Sequence, residues 1–357
     1  MSRIVIFSDI HFHEWTYGAT YEGGVNSRLQ SQINVLHKIL DYARDVKAAM
    51  IVFCGDMFHT FNNLNVRVLA MVQQAFAYRD TGIPIHMIPG NHDYSTKNAS
   101  YNAVSGAFPW ATVHNTAAVQ HLYAHAPGID LFFIPYHSSE ASFNHDLNSV
   151  YQYAKAHPIN KRLLFMHQGV QGSDVGNGFV LPNEFLRPDM ITSDFFMAFT
   201  GHYHDHKIVS PKLCQVGSPM QLTWGDEGKV RGWIDFDTET GEIKHIESDA
   251  PKFLTIRSKD GKNTPIPTNP GFYRVIGSDP DITGLSAHLS SGHFVEYVYK
   301  PKEDKTPRYI LEANSFDVAN VWKKYLELNP SLKESPIESI GSKLLANEYE
   351  APKPNNT

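Results

Sequence analysis

One pattern recurs five times along this chain and restricts what it can fold into: a short apolar run that stops at residues able to hold a metal ion. "RIVIF" (3–7) runs into "SDIH", with Asp9 and His11, and "AAMIVF" (48–53) runs into "CGDMFH", with Asp56 and His59. "IPIHMI" (83–88) precedes "PGNHD", with Asn91, His92 and Asp93; "RLLFM" (162–166) ends on His167; "FFMAF" (195–199) leads to "TGHYH", with His202 and His204. Runs of this length read as strands buried on both faces, and "DLFFI" (130–134) is another. Between the early runs, residues 27–47 set Leu29, Ile33, Leu36, Ile39, Leu40, Ala43 and Val46 on one helical stripe, and 64–79 repeats this less cleanly. Strand alternating with helix predicts an α/β layered fold, which builds its sites at the carboxyl ends of the strands.

Further along the pattern changes. Residues 207–247 carry shorter alternating runs, with "TETG" as a hairpin signal, and predict a second, more antiparallel sheet packed on the first. A stretch rich in Pro, Lys and Asn around 249–271 marks a boundary near 250. The expected division is a main domain over 1–249, a small α+β domain over 250–312, a helical segment over 313–348 and a disordered tail over 349–357. Within the small domain, 281–290 reads as a short helix. Residues 315–328 read as an amphipathic helix with Ser315 as N-cap, carrying Val318, Val321, Trp322, Tyr325 and Leu326 on its apolar face. A second helix candidate follows at 337–349. Such a pair either caps a core or docks a partner helix.

Composition narrows the function classes. The net charge of −6 offers no general attraction for nucleic acid, so a DNA-binding role needs a local basic patch or a metal centre. Two cysteines, Cys54 and Cys214, cannot build a disulfide framework. No apolar run is long enough to cross a membrane, and the start "MSRIVIFSDIH" has no signal-peptide architecture, so a cytoplasmic location is expected.

The recurring motifs supply two carboxylates, one amide and four imidazoles: Asp9, His11, Asp56, Asn91, His167, His202 and His204. That exceeds one tetrahedral zinc site and contains no thiolate. It suits two divalent ions of intermediate hardness, manganese or iron, with magnesium or zinc as alternatives. Asp56 is the candidate bridge. Two dications against two carboxylates leave the site net positive, which suits a phosphate ester. His92, directly after Asn91, is better placed to donate a proton or hydrogen bond to the phosphate than to hold the same ion, and His59 is a candidate helper. His206 reads as a neighbour of the ligands or as exposed. His37, His86, His121 and His245 read as ordinary surface or strand residues.

Asp-x-His, Gly-Asp, Gly-Asn-His-Asp, a later His and Gly-His-x-His together resemble the signature of the calcineurin-like metallophosphoesterase superfamily over residues 1–240. "GDMFH" has Phe58-His59 where the protein phosphatases of that superfamily carry Val-Asp-Arg. With "LLFMHQG" and "VGSPMQLTWGDE", it is similar to the SbcD-type DNA double-strand-break repair nucleases, most of all the small subunits of bacteriophage recombination nucleases. The resemblance implies a four-layer α-β-β-α sandwich with a small capping domain and C-terminal helices. It implies that Asp9, His11, Asp56 and His204 hold the first ion and Asp56, Asn91, His167 and His202 the second, that His92 acts on the phosphate, and that His59 supports it. It implies manganese-dependent 3′–5′ exonuclease and single-strand endonuclease activity, DNA as substrate, an SbcC-type coiled-coil ATPase docking on 315–348, room for a homodimer, and the cytoplasm of a bacterium or phage-infected host. The family pattern has Gly where this chain has His13, so the loop beside the first ion departs from it. Lys97, Lys207, Lys212, Lys229 and Arg231 are candidate DNA-backbone contacts. The competing readings are a dinuclear phosphatase or phosphodiesterase acting on nucleotides or phosphoproteins, and a non-catalytic scaffold on the same fold.

Overall fold

The computed structural model describes residues 2–60, 63–79, 81–95, 101–121, 128–157, 161–173, 180, 183–280, 284–290, 292–300, 318–332 and 336–345. The chain divides into two units, Met1–Pro301 and Lys302–Thr357.

Two six-stranded sheets form the centre of the first unit. One runs, in spatial order, Ile243–Glu247, Gly232–Asp237, Arg3–Phe7, Met50–Phe53, Ile85–Met87 and Thr112–Val113. The other runs Lys207–Ser210, Leu213–Gln215, Met197–Gly201, Lys161–His167, Ile129–Ile134 and Ala118–His121. The period of two in each strand explains how they stack. In Arg3–Phe7, Val5 and Phe7 pack with Leu29, Leu36 and Val72 of the helices Ser27–Asp45 and Val66–Tyr78. Ile4 and Ile6 point the other way, into a core shared with Leu163, Phe165 and Phe199 of the second sheet. That sheet's far face, with Phe132, Leu164 and Ala198, covers the helix Glu140–Ala156 through Phe143, Leu147 and Val150. The result is the helix–sheet–sheet–helix layering of the expected α/β class.

The long helix begins where Asn26 caps it, its side-chain oxygen accepting from the Arg28 and Leu29 amides at 3.0 Å each. A third sheet, Lys252–Arg257, Gly271–Gly277, His293–Tyr299 and Ser286–Ser290 in spatial order, packs Phe253, Phe272 and Phe294 against Tyr17 and Trp224.

Two expectations are corrected. Residues 207–247 do not form the second sheet by themselves. Leu213–Gln215 pairs in parallel with Met197–Gly201, and the chain then crosses over so that Gly232–Asp237 lies antiparallel to Arg3–Phe7. The helix expected over 281–290 is, in its described part, the strand Ser286–Ser290, paired antiparallel to His293–Tyr299. Its serines favour helix interiors little, and the open edge of the sheet satisfies their backbone.

In the second unit, Val318–Leu328 and Pro336–Leu345 are helical. Gly341 lets the Trp322 indole approach its backbone, since a Cβ there would collide with the ring. Trp322 stacks on Tyr325 at 5.7 Å, Leu326 is buried and Tyr325 is exposed. Ser315 and the side chains of Val318 and Val321 lie outside what is described. Among the described residues no helix is long and apolar enough to cross a membrane.

Candidate metal centre

The strand ends after Phe7 and Phe53 are stitched to each other. The Asp9 amide donates to the Gly55 carbonyl (2.9 Å), His11 to Asp56 (3.1 Å) and Phe12 to Met57 (2.8 Å). Buried Phe12 and Phe58 anchor the two turns from below. Gln32, reaching from the long helix, donates to the Ile10 and His11 carbonyls (2.8 and 2.7 Å) and accepts from the His13 amide (3.0 Å). Four ligand-type residues pay for this convergence in backbone strain: Asp9, His11, Asp56 and His202 have φ of 53°, 49°, 62° and 98°. Among the described non-glycine residues only Lys47 shares that region. Gly90 and Gly201 are required by close approach, because a Cβ would strike the Asp56 carboxylate in one case and the Ser8 hydroxyl and Cys54 carbonyl in the other.

The side chains meet. His11 Nε2 lies 3.2 Å from His204 Nε2 and 4.0 Å from Asp9 Oδ1. Asn91 Oδ1 lies 2.7 Å from His202 Nδ1 and 3.1 Å from His167 Nε2. Asp56 faces both groups, Oδ2 at 3.5 Å from His11 and Oδ1 at 3.5 Å from His167. His167 Nδ1 donates to the Cys54 carbonyl (2.6 Å), which aims Nε2 at the centre.

Electrostatics describe a cluster short of positive charge. Burial pushes the Asp9 carboxyl up to about 7. Burial also opposes the charge on Asp56, but His167 and His11 beside it hold it below the usual carboxylate range. Burial works against a charged His167 too, and Asp56 and Asp9 nevertheless raise it to about 9. Burial lowers His202 to about 3 and His11 well below the usual range, so both present neutral nitrogen donors. Buried and partly buried ligand-type groups aimed at one another across short gaps, with two carboxylates among them, are what divalent cations satisfy. The donor set fits two ions, one by Asp9, His11 and His204 and one by Asn91, His167 and His202, with Asp56 between.

His92 stands beside this set. Its amide donates to Asp56 Oδ1 (2.8 Å), and its Nδ1 donates to the His59 carbonyl (2.7 Å), which leaves Nε2 as the other ring nitrogen. The His59 and His92 rings are nearly parallel at 5.5 Å, and Trp15 packs on His59 at 4.3 Å. His13, in place of the expected glycine, packs against both Trp15 (5.4 Å) and His59 (5.2 Å).

Sequence reasoning counted Asp93 among the ligand-type residues of the third strand end but gave it no role of its own, although it closes the "GNHD" motif. Its carboxylate accepts from the amides of Asp56 (2.9 Å), Met57 (2.9 Å), Phe58 (3.1 Å) and Gly90 (2.9 Å) and locks two ligand loops together. The proposed cationic contacts fare differently. Arg231 is buried, its guanidinium held by Asp226 (2.5 Å), Asp205 (2.6 Å) and the His204 carbonyl, so it braces the ligand loop and does not face a substrate. Lys229 pairs with Asp205 at 2.9 Å. Lys212 sits at the end of its sheet away from the ligands and donates to the Phe196 carbonyl (3.3 Å). Lys207 is exposed at the ligand end, opposite Gln215, and Lys97 lies outside the described residues. His206 is partly buried and stacks face to face on His245 at 4.2 Å.

A two-sheet sandwich whose strand ends converge on such a donor set defines the class of metal-dependent phosphoester hydrolases. Residues 2–210 match the model of the calcineurin-like phosphoesterase family, and the chain belongs to that family. It is 20% identical over 327 residues to an uncharacterized protein of Acanthamoeba polyphaga mimivirus, covering 88% of this chain and 23% of that one. It is 23% identical over 224 residues to exonuclease subunit 1 of Enterobacteria phage T4, covering 60% of each. The chain thus spans under two thirds of the length of both relatives. A solved dimetal phosphatase from Danio rerio aligns at 9% identity with a TM-score of 0.41, over 66% of this chain and 91% of that one.

Proposed function

We propose that this chain is a manganese-dependent DNA nuclease that processes DNA ends in recombination, repair or replication as a 3′–5′ exonuclease and single-strand endonuclease. The observation that carries the chemical part is the placement of His92 beside a converged set of seven ligand-type side chains. A bound pair of divalent cations supplies charge neutralisation at the phosphate and a water of lowered pKa. The chain's own groups do the rest. Asp9, His11, Asp56 and His204 orient one side of the site, and Asn91, His167 and His202 the other. His92, with Nδ1 committed to the His59 carbonyl, offers Nε2 to the phosphate or to the departing oxygen. The similarity to a phage exonuclease subunit supports DNA as substrate, and the third sheet beside the Tyr17 loop supplies a surface beyond the metal centre.

An SbcC-type ATPase is the proposed partner, docking on the helix Val318–Leu328, where Tyr325 is exposed and Leu326 is buried. Action in the cytoplasm of a bacterium or infected host follows from that role. A dinuclear phosphatase shares the same centre, and one experiment separates the two. The manganese-loaded protein is given end-labelled DNA and, separately, p-nitrophenyl phosphate. Release of nucleotides from DNA is expected, with His92→Ala slowing it about 10²- to 10⁴-fold while bound metal is unchanged. Turnover of the monoester with DNA left intact overturns the nuclease reading.

A further inference from the structure

Tyr136 follows the strand Ile129–Ile134 and belongs to neither set of cation ligands. Its amide donates to the Pro89 carbonyl (3.2 Å), which ties it to the loop bearing Asn91 and His92. Its ring lies within 15° of parallel to His202, with centroids 6.1 Å apart, and meets His167 nearly edge-on at 6.3 Å. Tyr203 also packs on His202, at 4.9 Å, but its hydroxyl is committed to Glu184 (2.5 Å). Tyr136 remains partly exposed. It stands on the side of the centre formed by Asn91, His167 and His202, whereas the His92 ring lies against His11 at 4.8 Å.

We propose that Tyr136 is a specificity-determining residue: a preset aromatic platform on which a base of single-stranded nucleic acid stacks beside the phosphate being cleaved. This rests on the nuclease reading above. Three observations lead to it. The ring is held at two points before substrate arrives, so stacking costs little ordering. An uncharged aromatic face accepts any base, as a nuclease without sequence preference needs. Of the described cations beside the centre, Arg231 and Lys229 are paired with Asp205, so a stacked base adds affinity that these two side chains do not supply.

The test compares a single-stranded decanucleotide with versions carrying an abasic residue at the 3′ or the 5′ end, using the manganese-loaded full chain. For the wild type, loss of one terminal base is expected to raise KM by about 5- to 100-fold with kcat little changed. In Tyr136→Leu this discrimination disappears, and Tyr136→Phe restores it, with bound metal equal in all three proteins. If Tyr136→Leu loses metal, or slows intact and abasic substrates equally, the residue merely supports His202 and the proposal is overturned. Unchanged discrimination in Tyr136→Leu overturns it too. If the wild type cleaves none of these oligonucleotides, the nuclease reading itself fails and takes this inference with it.

Discussion

Four backbone amides from two loops end on the carboxylate of Asp93, so this side chain fixes the loops that carry Asp56 and Asn91. Burial, with Asp56 close by, pushes its own carboxyl up to about 7, and the amides partly offset that. Removing it strands buried donors at Asp56, Met57, Phe58 and Gly90. Asp93→Ala is expected to cost about 4 kcal/mol in chemical denaturation and to weaken binding of both ions by calorimetry, with Asp93→Asn intermediate. That ligand-type residues gather at strand ends was legible, because five apolar runs in turn end on them, which turn chemistry alone does not explain. The role of Asp93 was not. It reads as one more ligand-type residue at a strand end until the partner loop, 37 positions earlier, is brought to it.

At the scale of elements, the strand Ile85–Met87 holds a second histidine cluster with a different consequence. His86 Nδ1 lies 3.0 Å from His114 Nε2, and both rings stack on Phe133, at 5.4 and 3.8 Å. Burial lowers His86 to about 4 and His114 to about 3. The unfolded chain takes up protons at these groups from about pH 6.5 downward while the folded chain refuses them. Stability therefore falls as pH drops from about 6.5 toward 3, and above 6.5 the pair adds no slope. His114→Phe keeps the stack, and the fall of Tm between pH 6.5 and 4.5 should be shallower in that variant. The sequence placed His86 in a strand correctly. It could not show that His114, in the turn after a later strand, covers it.

Across the whole first unit, Arg28 joins parts that are far apart in sequence. It is buried without an ion pair among the described residues, and burial lowers it to about 10. Its guanidinium donates to the Leu222 carbonyl (2.5 Å) and the Tyr17 carbonyl (3.3 Å) and lies over Phe272, Trp15 and Phe253 at 4.8, 5.3 and 5.4 Å. One side chain thus clamps the third sheet to the loop whose Trp15 supports His59. Arg28→Met is expected to lower stability by about 2 kcal/mol and to speed amide exchange in Gly271–Gly277 ahead of Arg3–Phe7. The amino-acid order alone determined the α/β class, the strands ending in ligands and the donor types suited to divalent cations. These follow from local period, burial and ligand chemistry. Only the tertiary structure decided which sheet Gly232–Asp237 joins, that 286–290 is a sheet edge, that Asp93 and Tyr136 stand beside the centre, and that Arg28 joins the third sheet to the Trp15 loop. Those depend on contacts between segments tens to hundreds of residues apart, where whole-core burial selects the pairing and no local pattern records it.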